Sequence, residues 1–308
     1  MANPETISLY EMFKRFPDQE AARKFFEDKR WSGSVYCPHC GSASIAECKD
    51  QKPMAYRCRD CRQHFSVRTG TVLGESRLPL QKWLMAIYMM TTARKGIPST
   101  QMARELGITQ KSAWFLAQRI RETWLGKSGS DMGPTVEVDE TYIGGKEMNK
   151  HSDKKLHSGR GSVGKTPVVG IKDRSGIVRA MPVVATTKAA LHGFISANVI
   201  EGSTVMTDEF VSYRGLNLKG FTHLTVNHSA REYVRDQAHT NGIESFRALL
   251  KRGYYGIYHY MSVKHLHRYV GEFSNRQNTL KIGTLRFIES TIESMVGRHI
   301  SYKELINA

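Results

Sequence analysis

The sequence predicts a multidomain α+β protein, and three changes along the chain support this prediction. All five cysteines fall within residues 32–70, among glycines, serines and short strand-like runs. Residues 78–126 then carry apolar side chains at helical spacing. From about Thr135 onward, β-branched strands alternate with helices, which is typical of an α/β domain, here with a mixed sheet.

The composition limits the classes of protein to which the chain can belong. Its 308 residues are enough for two or three domains, and a 40% hydrophobic content supports at least one sizeable core. Lys and Arg number 45 against 29 Asp and Glu, and the net charge of +16 indicates a polyanionic partner. A basic protein without such a partner is the alternative. We see no secretory signal and no membrane-spanning apolar run, so we expect a cytoplasmic protein without a membrane partner.

The cysteines form two CxxC pairs with the spacing of a structural zinc site. Cys37 and Cys40 form one pair, Cys58 and Cys61 form the other, and 17 residues separate them. Each pair supplies two thiolates from one tight turn, so two turns complete a tetrahedron around Zn²⁺ and stabilise a segment with a small core. A redox dithiol and a catalytic zinc are the alternatives. Cys48 has no partner at a suitable spacing.

Basic residues surround the second cysteine pair. Arg59 and Arg62 stand next to its ligands in the sequence. A zinc ribbon decorated in this way is suited to contacts with DNA phosphates, and we predict such contacts for both arginines. A solvated cationic face is the alternative.

Residues 98–125 have the pattern of a helix-turn-helix. Ser99 is the expected N-cap of the first helix, which Gly107 ends, and Thr109 caps the second helix. In this motif the second helix enters the major groove. It would present three side chains to DNA: Lys111, Ser112 and Arg119. Two helices packed across a glycine turn also occur in proteins that do not bind DNA, and this alternative stays open.

Three acidic residues occupy positions that suit a site for divalent metal ions. Asp139 lies within the strand-like run 135–143, where an acid is costly to bury unless it binds something. Asp208 ends the short strand 203–207, and 35 residues separate it from Glu244, which lies in the first turns of an apolar helix. Carboxylates that bridge two ions let one activate the attacking oxygen while the other stabilises the leaving oxygen. Hard oxygen ligands favour Mg²⁺ or Mn²⁺.

Two neighbouring segments are interpreted differently. Adjacent residues of a strand point to opposite faces, so Glu140 is expected to point away from the metals. The basic, glycine-rich segment 144–165 is expected to be a flexible loop that becomes ordered on DNA.

On these motifs the chain resembles the bacterial insertion-sequence transposases that join an N-terminal zinc ribbon to an ISXO-like DDE domain. The resemblance covers most of the chain. It includes the segments RWSGSVYCPHCGS, YRCRDCRQHFSVRTGTV, VEVDETYIGGKEMNKH, VMTDEFVSYRGL and HTNGIESFRALLKRGYYG. It implies a ribonuclease-H-like catalytic domain in which Asp139, Asp208 and Glu244 bind Mg²⁺ or Mn²⁺.

The resemblance also implies roles for other residues of the last segment. Some family members have asparagine in place of the last acid, so Asn241 is an alternative to Glu244 or shares its role. Lys251, with Arg252 beside it, would be the basic residue that positions DNA. An ordinary exposed lysine is the alternative.

The predicted organisation and activity follow from the motifs and the resemblance together. The segments are N-terminal helices (1–31), a zinc ribbon (32–70), a helix-turn-helix DNA-binding region (78–126), the DDE catalytic domain (134–285) and a C-terminal helical tail (286–308). The resemblance implies a transposase that cleaves and transfers strands of double-stranded DNA, at the element's ends and at the target, as a homo-oligomer. The alternative is a non-catalytic DNA-binding regulator derived from a transposase.

Overall fold

Two compact units make up the fold. The computed structural model describes four stretches of the chain: residues 6–126, 131–156, 161–226 and 240–307. One unit is Met1–Trp124 together with Lys281–Ala308, and the other is Leu125–Leu280. The C-terminal helical tail therefore belongs to the same unit as the N-terminal helices.

The elements follow one another in chain order. The helices are α1 (Leu9–Arg15), α2 (Gln19–Trp31), α3 (Leu80–Thr92), α4 (Ser99–Leu106), α5 (Gln110–Thr123), α6 (Lys188–Asn198), α7 (Asn241–Gly253), α8 (Leu266–Asn278), α9 (Thr284–Glu293) and α10 (Tyr302–Asn307). The strands are β1 (Ile45–Glu47), β2 (Tyr56–Cys58), β3 (His64–Phe65), β4 (Thr135–Ile143), β5 (Thr166–Asp173), β6 (Val178–Pro182), β7 (Thr204–Thr207) and β8 (Thr222–Thr225). Within the described stretches, none of the helices is both long and apolar enough to cross a membrane.

The zinc ribbon of the first unit is an antiparallel sheet with strand order β1-β2-β3. The rings of Tyr56 and Phe65 stack with centroids 5.5 Å apart, and Trp31 at the end of α2 meets both rings edge-on. Aromatic pairs of this kind bury a large apolar area. The ribbon therefore shares its core with α2, which compensates for its small size.

Helices α4 and α5 form within the predicted helix-turn-helix segment and are joined by the short turn at residues 107–109. Gly107 follows α4 in the left-handed conformation, with φ of 58°, which glycine adopts without a Cβ penalty. The Thr109 hydroxyl oxygen accepts the Ser112 N–H and caps α5. The N-cap of α4 is Pro98, and Ser99, which was expected there, is the first helical residue.

The second unit is built on a five-stranded mixed sheet with strand order β6-β5-β4-β7-β8. Strand β4 is central: it pairs antiparallel with β5 and parallel with β7. Val136 and Val138 pack on one face with apolar residues of α6, such as Leu191. Ile143 packs with α7 and α8 residues, including Phe246. The predicted α+β architecture with a mixed sheet is confirmed.

Candidate functional site

The four ribbon cysteines converge on one point. Their Sγ atoms all lie within 4.8 Å of one another. The Sγ atoms of Cys37 and Cys61 are 3.6 Å apart, as are those of Cys40 and Cys58. A tetrahedral Zn²⁺ with bonds of about 2.3 Å holds its sulfurs about 3.8 Å apart, so the cluster fits zinc. The predicted ligand set therefore has the geometry that a structural zinc requires.

Three carboxylates form a second cluster where the pairing of β4 with β7 ends. Oxygens of Asp139, Glu140 and Asp208 all lie within 4.8 Å of one another. Glu137 of β4 is level with Met206 of β7, so the register brings Asp208 next to Asp139 two residues later. Both aspartates therefore reach the same edge of the sheet. Hard oxygens at this separation suit Mg²⁺ or Mn²⁺.

The position of Glu140 corrects the expectation that it points away. One of its carboxylate oxygens accepts a hydrogen bond of 2.7 Å from the Tyr213 hydroxyl. Tyr213 belongs to the apolar cluster on the Val138 face, so the Glu140 side chain does leave the strand on the face opposite Asp139. The pairing of β4 with β7 stops at Glu137 and Met206, so the edge of β4 is open beside Glu140. The two methylenes of Glu140 let its carboxylate pass around this edge to the side of the aspartates. Strand alternation sets only the direction of Cβ. A long side chain such as that of Glu140 can still bring its carboxylate back to the opposite face.

Burial sets the protonation of this carboxylate cluster. It raises the pKa of Asp139 to about 6, against an opposing effect of the Arg247 charge. It raises the pKa of Glu140 to about 7, although the hydrogen bond from Tyr213 lowers that pKa. The negative charge of Asp208 also raises the pKa of both groups, and that of Asp139 raises the pKa of Glu140. A bound cation would favour the charged forms that burial disfavours.

Helix α7 brings Arg247 to Asp139. The Arg247 guanidinium donates to Oδ2 of Asp139 and forms an ion pair with it. Sequence reasoning missed this residue. Its spacing of three from Glu244 was the available signal, since residues three apart share one side of a helix.

Glu244, the predicted third ligand, lies outside the carboxylate cluster. Glu244 is half-buried one turn before Arg247, and its Oε1 accepts a hydrogen bond of 2.9 Å from the Thr240 hydroxyl. Asn241 is exposed at the first position of α7. The structure therefore brings Asp139 and Asp208 together, and the group of carboxylates within 4.8 Å of one another does not include Glu244.

Lys251 lies one turn beyond Arg247 and is half-buried. Burial lowers its pKa, the nearby Arg247 charge lowers it further, and Asp139 raises it. The negative charge of Asp139 thus acts on the Lys251 ammonium group, and its contact with DNA stays a prediction. Arg252 beside it is exposed.

Arg119 is a correction to the predicted DNA-contacting residues. Its side chain is only 3% exposed, its Nε donates to the Ile300 carbonyl, and its guanidinium lies 4.3 Å from the Phe115 ring centroid. The second half of α5 is enclosed by its own unit, so Arg119 has a structural role. Apolar periodicity could not reveal this because arginine is rarely buried.

The remaining DNA-contact candidates are near the surface. Arg59, Arg62 and Lys111 are exposed, and the Lys111 ammonium lies 4.6 Å from the Tyr302 ring centroid. Ser112 is half-buried and takes part in the cap of α5. In the segment 144–165, short 3₁₀ turns occupy Glu147–Asn149 and Ser152–Lys154, and residues 157–160 lie outside the described residues.

Comparison with known proteins gives the same two-part organisation. Residues 17–64 match the transposase zinc-ribbon domain, and residues 131–278 match the ISXO2-like transposase domain. A relative in Halobacterium salinarum, named as an uncharacterized protein in transposable element ISH50, is 30% identical over 250 residues. That alignment covers 78% of this chain and 84% of the relative. The chain therefore belongs to the insertion-sequence transposase family that joins a zinc ribbon to an ISXO2-like transposase domain.

Proposed function

We propose that the protein is an active DNA transposase that cleaves phosphodiester bonds at the ends of its element and transfers the freed strands to target DNA. The observation that carries this proposal is the convergence of Asp139, Glu140 and Asp208 within 4.8 Å. Acids with pKa values raised by burial are a recurring feature of catalytic centres. Bound Mg²⁺ or Mn²⁺ would supply the stabilisation of charge on the attacking and leaving oxygens.

The chain's own residues have separate roles in this proposal. Asp139 and Asp208 hold the metal, and Tyr213 orients the carboxylate of Glu140 towards them. Glu244 is the proposed third acid of the DDE set, with Asn241 as the alternative. The hydroxyl of Thr240 holds Glu244 in the described conformation, and rotation of the Glu244 side chain would release it.

Basic residues bind the DNA. Lys251 and Arg252 lie in the last turn of α7, beyond the Arg247 that contacts Asp139. A phosphate next to the cleaved bond would pass there. Exposed Arg59, Arg62 and Lys111 contact phosphates elsewhere on the duplex, with Ser112 at the start of α5. We propose that two or more copies of the chain assemble on the paired ends of the element.

One observation favours a non-catalytic DNA-binding regulator. Arg247 places a guanidinium on Asp139, and a permanent ion pair there would neutralise a ligand that the metal needs. The regulator would bind the element's ends with the ribbon and the helix-turn-helix and would cut nothing. We favour the enzyme because Asp208 and Glu140 also reach the same point.

A strand-cleavage assay separates the two functions. The substrate is duplex DNA that carries the element's terminal repeats, with Mn²⁺ or Mg²⁺. The parent should cut, and Asp139→Asn or Asp208→Asn should cut at least about 1000-fold more slowly, because each removes a charged metal ligand. Asp131→Asn is the matched control, since that side chain is 70% exposed. Cleavage by Asp139→Asn at the parental rate, or specific end binding by a parent that never cuts, contradicts the proposal.

A further inference from the structure

Glu137 is a buried carboxylate outside the cluster. It is 4% exposed and lies on β4 two residues before Asp139, hence on the same face of the sheet. Its Oε1 accepts a hydrogen bond of 2.6 Å from Arg174 Nη1, and its Oε2 accepts one of 2.9 Å from the backbone N–H of Ile243. The second bond links β4 directly to the first turn of α7.

This link replaces the usual cap of α7. The N-cap residue, Thr240, makes no side-chain cap hydrogen bond, and its hydroxyl donates to Glu244 instead. The first backbone N–H groups of a helix lack partners within the helix, and its N-terminus favours a negative charge. Glu137 supplies both the acceptor and the charge from a neighbouring strand.

Gly242 allows this close approach. A Cβ added at Gly242 would lie 2.8 Å from Oε2 and 3.1 Å from Oε1 of Glu137, so no other residue fits without moving the carboxylate. Lys172, the cross-strand partner of Glu137, donates a hydrogen bond of 3.3 Å to the Gly242 carbonyl. Two neighbouring strands therefore hold the first turn of α7.

We propose that Glu137 is a positioning residue that fixes the third acid of the catalytic set relative to Asp139, an inference that rests on the proposed function. Glu244 directly follows Ile243, whose N–H Glu137 holds, and Asp139 lies on the same strand face as Glu137. The hydrogen bond from the Ile243 N–H to Glu137 fixes the position of the start of α7. It thereby sets the distance from Glu244 to the aspartates. Glu137 itself touches neither the metal nor the DNA.

Mn²⁺ binding to the full-length protein, followed by the electron paramagnetic resonance signal of free Mn²⁺, tests this role without requiring catalysis. Glu137→Met keeps the side-chain length and removes the acceptor. It should weaken Mn²⁺ binding about tenfold, the lower end of the loss seen when residues that support metal ligands are replaced. Glu137→Gln keeps an oxygen that accepts the Ile243 N–H, and should bind within about threefold of the parent. Glu272→Met, which removes a fully buried carboxylate of α8 paired with Arg276, is the control and should bind as the parent does.

A double-variant cycle identifies the residue through which Glu137 acts. If Glu137 works through Glu244, the pair Glu137→Met with Glu244→Gln should bind Mn²⁺ no more weakly than Glu244→Gln alone. The proposed role is overturned if the two losses of Mn²⁺ affinity multiply in the double variant. It is also overturned if Glu137→Met loses affinity while Glu244→Gln binds Mn²⁺ normally. If Glu137→Met does not fold, Gly242→Ala should show the same tenfold loss, and normal binding by that variant is equally contradictory.

The parallel variant Asp139→Asn keeps the two proposals separate. If it binds Mn²⁺ as tightly as the parent, the proposed metal site is wrong. If it loses Mn²⁺ while a folded Glu137→Met binds normally, the metal site stands and only the positioning role fails.

Discussion

The two candidate metal sites of this transposase are built in opposite ways. Each half of the ribbon site comes from one tight turn, and the turns are held by strands of two or three residues. The carboxylate cluster joins the middle of β4 to the end of β7 in a five-stranded sheet, with apolar clusters on both faces. The ribbon needs its metal in order to fold. The unit with the carboxylate cluster is held by burial of apolar surface, so it tolerates acids whose charged form only the metal stabilises.

The largest expected effect is the loss of the ribbon without its zinc. Cys58→Ser should release zinc and unfold the ribbon while the unit with the carboxylate cluster stays folded, because structural zinc supplies about 10–16 kcal/mol in ribbon-sized domains. Elemental analysis and limited proteolysis measure the two parts of this prediction. Cys48→Ser is the control and should keep its zinc. One zinc per chain in Cys58→Ser would show that the ribbon does not use four thiolates.

The carboxylate cluster should instead respond to protons. Because burial raises the pKa of Asp139 to about 6 and that of Glu140 to about 7, Mn²⁺ must displace protons below neutral pH. Mn²⁺ affinity should fall about 100-fold or more from pH 8 to pH 5, as measured by calorimetry. Zinc retention by the ribbon should change little above pH 6, and a flat Mn²⁺ response would remove the argument from burial.

Without added Mn²⁺ the same acids should act on stability in the opposite direction. Unfolded carboxyls release their protons near pH 4, whereas the buried ones do so only at about 6 to 7. The folded state binds more protons in this window, so the contribution of the two acids to the free energy of unfolding declines as the pH rises. Asp139→Asn should reduce this decline in denaturant titrations at pH 5 and pH 8. An identical decline in parent and variant would contradict it.

The same contrast explains what the sequence could predict. The ribbon ligands follow from CxxC spacing because each knuckle is local. Strand β4 was expected over residues 135–143 and occupies Thr135–Ile143, since alternating apolar residues mark a strand. Register and helix packing between distant segments determine three other contacts. They bring the Glu140 carboxylate to the aspartates, pair Arg247 with Asp139 and place Glu137 against the start of α7. No local pattern encodes those contacts.

A smaller effect is expected where one hydrogen bond orients a carboxylate. Tyr213→Phe keeps the buried ring and removes the donor to Glu140. It should weaken Mn²⁺ binding about tenfold and move the pH dependence upward, because that hydrogen bond lowers the pKa of Glu140. Tyr56→Phe removes the corresponding donor to Glu27 beside the ribbon and is the matched control. Equal Mn²⁺ affinity in the Tyr213 and Tyr56 variants would argue against Glu140 as a ligand.

The smallest effects separate surface from buried cations on α5. Lys111→Ala should weaken DNA binding about threefold and reduce the slope of log affinity against log salt by about one. Arg119→Ala should leave that slope unchanged and lower the free energy of unfolding by about 1–3 kcal/mol, because it removes a buried hydrogen bond. Fluorescence anisotropy and denaturant titration provide the two readouts. A reduced salt slope in Arg119→Ala would show that this arginine does contact DNA.

Anomalous scattering from crystals soaked in Mn²⁺ tests the metal-binding role of the carboxylate cluster most directly. We predict a manganese peak about 2.1 Å from carboxylate oxygens of both Asp139 and Asp208, with the Arg247 guanidinium displaced from Asp139. Manganese bound only elsewhere in the protein, with the pair of Arg247 and Asp139 intact, would contradict the assignment of this cluster as the catalytic centre.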